Sequence, residues 1–65
     1  AHYLVSIIAA AINKIAGNHD QARYWADRTR QLRPDASIQQ FFVAYPLRDQ
    51  RIRKQVQTAL QDLGF

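Results

Sequence analysis

The chain contains no cysteine, no methionine and no glutamate, and it has only two glycines and two prolines. Without Cys there can be no disulfide and no thiolate metal site. A 65-residue chain is therefore left without two of the usual staples of small domains. Absence of Cys also fits a cytoplasmic protein, where thiols stay reduced and disulfides are rare. Absence of an initiating Met predicts that the chain is a piece of a longer protein. Two glycines are too few for a glycine-rich loop that cradles phosphate. The longest apolar stretch, YLVSIIAAAI, is broken by Ser6 and followed by Asn13 and Lys14. It falls short of the roughly 20 residues that cross a bilayer, so no membrane partner is expected. No segment alternates cleanly and no Asn-Gly turn occurs, which argues against strands and hairpins.

What is present is helical. Gly17, Pro34, Pro46 and Gly64 divide the chain into four pieces, and the length allows one domain, residues 1–65. In the first piece, residues 2–16, Leu4, Ile8, Ala11, Ile12 and Ile15 recur on one face, and Val5 and Ala16 widen it. Ser6, Asn13 and Lys14 mark the expected wet side. The second piece, residues 19–33, has Asn18 as N-cap and Gln21 three residues on, the spacing of a capping box. Its stripe is Ala22, Trp25, Ala26, Thr29 and Leu32, and Arg23 is spaced to pair with Asp27. Pro34 stops it by moving Arg33 out of the α region.

The third piece, residues 38–45, repeats the cap with Ser37 and Gln40. Its apolar residues cover most of the circumference, which predicts a largely buried helix. The fourth, residues 50–63, starts at Asp49 and carries Ile52, Val56, Ala59, Leu60 and Leu63 on one stripe. Gly64 is placed to end it in the left-handed conformation, with Phe65 folding back. Short connections make consecutive helices antiparallel. The expected fold is all-α, two consecutive helical hairpins.

Ala10, Gly17, Ala22, Leu32 and Pro34 fall where the tetratricopeptide pattern has its small mid-helix residue, its turn glycine, its second-helix alanine, and the apolar residue and proline that close the repeat. Residues 1–34 thus resemble one tetratricopeptide unit, whose period is about 34 residues. Small residues let the paired helices approach, Gly turns the chain, and Pro separates repeats. Ser6, Asn13 and Thr29 depart from the pattern, the first two where large side chains are usual and the third where Ala is. Residues 35–65 resemble the closing segment of bacterial tetratricopeptide regulators and adenylate-cyclase-associated proteins, through Pro34, Asp35, Ser37, Pro46, Leu47, Arg48, Asp49, Leu60 and Gly64. The resemblance implies the C-terminal end of a right-handed superhelical array, with the short helix and a capping helix in residues 35–65. It further implies a non-catalytic role in protein–protein contact within a signalling or regulatory protein. A preceding repeat would cover Tyr3, Leu4, Ile7 and Ile8, which are therefore the candidate interface, and in the isolated chain these residues would drive homodimerisation.

No catalytic set emerges. Ser37 reads as a cap, and Thr29 lies in an apolar stripe. Asp20, Asp35 and Asp49 sit at helix starts or turns. His19 and Asp20 are adjacent and diverge on a helix, so they make no ligand pair. No catalytic residue, cofactor or metal ligand is assigned, and the chain is not expected to be an enzyme. Nine Lys and Arg against five Asp give a formal charge of +4. Arg23, Arg30, Arg51 and Lys54 form the candidate basic patch. The alternative function is therefore a small basic helical domain that binds nucleic acid through phosphate contacts. Against it, the arginines are spread over two helices, and Trp25 and Phe41 read as core rather than as exposed stacking residues.

Overall fold

The computed structural model describes residues 2–65. It contains four helices in the expected places: α1 Tyr3–Ile15, α2 His19–Leu32, α3 Ile38–Ala44 and α4 Gln50–Asp62. Among the described residues there is no strand. The fold is all-α, with α1 packed against both α2 and α4, and α3 against α4.

Both glycines do what the turn chemistry requires. Gly17 and Gly64 have φ of 84° and 92°. Each lies one position beyond the C-cap of its helix, where the chain enters the left-handed region at no steric cost. After α1, Asn18 N–H donates to Asn13 O at 2.8 Å and Gly17 N–H to Lys14 O at 3.2 Å. After α4, Phe65 N–H donates to Leu60 O and Gly64 N–H to Gln61 O, each at 3.0 Å. These are two Schellman closures. The second folds Phe65 back against the core.

The helix starts are less uniform. The Ser37 hydroxyl accepts from Gln40 N–H at 3.2 Å, and Asp49 Oδ1 accepts from Arg51 N–H at 2.9 Å and Ile52 N–H at 3.2 Å. Asn18 occupies the N-cap position of α2 but makes no side-chain cap. Its amide instead donates to Asn13 Oδ1 at 3.4 Å, tying the turn to α1. His2 Nδ1 accepts from Leu4 N–H at 3.2 Å and caps α1, a role the sequence pattern does not announce.

Two different seams hold the molecule. Between α1 and α2 the fully buried side chains are Ser6, Ala10, Ala22, Ala26 and Thr29, none larger than threonine. Side chains this small let two helices approach closely, so many weak dispersion contacts replace a few large ones. Thr29 tolerates its site because its hydroxyl donates to Trp25 O at 2.8 Å. The other seam is a conventional core of Ile7, Ala11, Phe41, Val56 and Leu60, rimmed by Leu4, Ile8, Ile38, Phe42, Tyr45, Leu47 and Phe65.

Several expectations are corrected. Ser6, expected wet, is 1% exposed, whereas Ile12 and Val5, expected to be core, are each 59% exposed. Helix α1 is apolar almost all round, so periodicity does not choose its inner face; the small residues that fit against α2 do. Helix α3 is not largely buried: Phe41 is, on the side that meets the core, but Val43 on the other side is 84% exposed. Leu32 and Ile52, expected on buried stripes, are exposed; they lie in the last turn of α2 and the first turn of α4. Asp27 pairs with Arg30 at 3.6 Å rather than with Arg23.

Two outcomes follow. Gly17→Ala should cost about 1 kcal/mol from backbone strain alone, since nothing lies near its added methyl. Gly64→Ala should cost more, because Arg30 Nη2, which its methyl would meet at 2.9 Å, must move and give up its contact with Leu63 O. Urea unfolding of the two variants checks the order. Ala26→Leu, which forces a large side chain into the small-residue seam, should destabilise by about 1–3 kcal/mol or more in the same assay.

Candidate interaction surface

The apolar residues that α1 leaves outside the two seams form a row. Val5, Ile12 and Ile15 are 59%, 59% and 47% exposed, and half-buried Ile8 lies between the first two. The steps of three and four residues put them on one side of the helix. Beside the C-terminal end of this row, α1 and α4 enclose an open groove of about 530 Å³. Its walls are Lys14 and Ile15 from α1 and Arg51, Lys54, Gln55, Thr58, Ala59 and Asp62 from α4. Four of these α4 residues, Arg51, Gln55, Thr58 and Asp62, recur at steps of three or four, so one edge of the helix faces the groove along most of its length.

The structure redistributes the expected interface. Ile7 is 0% exposed and belongs to the intramolecular core. Leu4 and Ile8 pack partly against the same core. The ring of Tyr3 is covered by the Arg33 guanidinium, 4.9 Å from the ring centre. The reason is α4: it returns over the side of α1 that a preceding repeat was expected to cover. The exposed apolar side is the next one round the helix. Of its residues, Ile8 belongs to the expected interface as well; Val5, Ile12 and Ile15 were legible as apolar and helically spaced, but as part of the buried stripe.

The four residues of the expected basic patch do not come together. Arg51 and Lys54 are exposed and line the groove with Lys14. Arg23 is exposed on α2 and is not among the residues lining that groove. Arg30 is partly buried and turned inward. Its guanidinium donates to Leu63 O, sits 4.5 Å above the centre of the Phe65 ring, and pairs with Asp27. Arg53 lies 4.2 Å over the Phe42 ring. Three arginines thus cover aromatic faces rather than project as a charged field. Lys14 was the residue missed; its position in the last turn of α1, facing the return of α4, becomes apparent only in three dimensions.

The side chains capable of chemistry stay apart. Thr29 and Ser37 hydroxyls are bonded to backbone. His19 Nδ1 lies 3.4 Å from Lys14 Nζ. Among the described residues no three His, Cys, Asp or Glu side chains gather as a metal site would require, and no helix is long and apolar enough to cross a membrane. No family model, no curated protein and no solved structure matches the chain.

The contrast between the two α2 arginines is measurable. Arg30→Gln should lower stability by about 1–2 kcal/mol, through loss of the carbonyl contact and the aromatic face. Arg23→Gln, on the exposed side, should change it by less than about 0.5 kcal/mol. Thermal unfolding of both variants at one ionic strength decides it.

Proposed function

We propose that this chain is a non-catalytic protein–protein interaction module, a tetratricopeptide-like part of a larger cytoplasmic regulator of bacterial type. The observation that carries the reading is the row of Val5, Ile8, Ile12 and Ile15 on α1. Contiguous apolar surface on a small soluble domain marks a contact site more often than it marks an accident of packing. The α1–α2 seam supports the repeat-like part of the reading. Ala10 and Ala22, two of the positions that carry the tetratricopeptide resemblance, are both fully buried in it. The nucleic-acid alternative is less favoured, because Arg30, Arg33 and Arg53 lie over aromatic rings of this same chain.

In isolation the exposed row should pair with a second copy, and an isologous dimer is the simplest closed arrangement. Light scattering over a roughly hundredfold range of protein concentration should show a monomer–dimer equilibrium. Ile12→Asp should leave the helical circular-dichroism signal intact and make the chain monomeric throughout. A wild-type chain that stays monomeric across the range, or a dimer indifferent to Ile12→Asp, removes the α1 row as a contact surface and the reading with it.

A further inference from the structure

The groove beside the α1 row has a chemistry of its own. Two of its lining residues are apolar, the exposed Ile15 and the nearly buried Ala59, and three are cations, Lys14, Arg51 and Lys54. The single carboxylate, Asp62, lies at the far end of α4 from Arg51. At roughly 1.5 Å per residue the two ends are about 16 Å apart, the length of three helical turns. We propose that this groove takes an acidic amphipathic helix of a partner protein. Apolar side chains rest chiefly on Ile15, beside the edge of Ala59, and carboxylates face the Arg51, Lys54 and Lys14 end. The proposal rests on the interaction-module reading and adds the chemical class of the partner and the direction in which it lies.

Charge complementarity selects this occupant. A second copy does not supply it, because no helix of this chain is net acidic: α1 and α3 contain no Asp, and in α2 and α4 the Lys and Arg outnumber the Asp. A nucleic-acid backbone fits less well. The groove has no aromatic side chain on which a base could stack, it exposes the apolar Ile15, and Asp62 would face the phosphates. A helix in a groove satisfies both features at once, with apolar anchors on the Ile15 side and acids along the rim. Complementary charge then sets orientation and speeds encounter, while the apolar contact holds the complex.

The test is a displayed library of amphipathic helical peptides, with leucines fixed on one stripe and Glu, Lys, Gln and Ala randomised beside it. Selection is made on the whole chain and on the Arg51→Glu/Lys54→Glu double variant. Both positions are exposed, and Arg51→Glu, in the first turn of α4, suits the helix dipole, so the variant should retain its fold, checked by circular dichroism. The expected result is enrichment of Glu-rich peptides on the wild type, with affinity falling about tenfold or more on the double variant. Replacing the peptide's Glu by Lys should restore binding to that variant.

Enrichment of neutral or basic peptides, or of acidic ones indifferent to the double substitution, overturns the acidic partner while leaving the module reading in place. No enrichment at all overturns the groove as a peptide site, and the module reading then stands or falls on the Ile12→Asp dimer measurement. A labelled duplex DNA that binds in place of peptides, and loses affinity on the double variant, overturns the proposal in favour of nucleic acid.

Discussion

The close approach of α1 to α2 across Ser6, Ala10, Ala22, Ala26 and Thr29 is the constraint on which the remaining packing depends. Only one side of α1 carries residues small enough for that approach. Once it is committed to α2, Ile7 and Ala11 point to the adjacent side, where α4 supplies Val56 and Leu60 and α3 supplies Phe41. The third side, with Val5 and Ile12, is then left exposed. The exposed row is thus a consequence of how α1 divides its circumference. A helix that is apolar nearly all round needs cover on every side, and α2, α4 and Phe41 of α3 leave one side of α1 open.

Charge is used to close this small structure as much as to keep it in water. Three arginines lie over aromatic rings, and each contact joins different segments: Arg33 of the α2 C-cap to Tyr3 of α1, Arg30 of α2 to Phe65 beyond α4, and Arg53 of α4 to Phe42 of α3. A guanidinium suits this work because it is flat and weakly hydrated and still has donors free at its edge. Arg30 uses both properties, lying over Phe65 while donating to Leu63 O, one of the carbonyls left open at the end of α4. Of the six cations outside such contacts, three, Arg51, Lys54 and Lys14, meet at one groove.

The helices were legible in the sequence because their punctuation is local. Gly17 and Gly64 as left-handed stops, and Ser37 and Asp49 as caps, act within a few residues of themselves. The small residues at Ala10, Ala22 and Ala26 were legible too, since close packing leaves a compositional trace. The facing of α1 was not. Its apolar positions are so numerous that several rotations satisfy the same period, and the choice is made by α2 and by the return of α4. The same reason hid the groove, which is built from Lys14 and from residues some forty positions later. Asn18 misled in a smaller way, because two routes were open to its amide and the one back to Asn13 prevailed.

The two seams also differ in when they can form. As the chain is synthesised, α1 and α2 emerge together and can close their small-residue seam at once, joined by a three-residue turn. The large side chains of α1, Ile7 among them, wait for Val56 and Leu60, made much later. During that interval a nascent hairpin presents, on one helix, both the future core and the row that the finished fold leaves exposed. Ribosome-bound chains of this kind are exposed to mispairing with their neighbours. A net positive charge, by mutual repulsion, gives them some protection until α4 arrives.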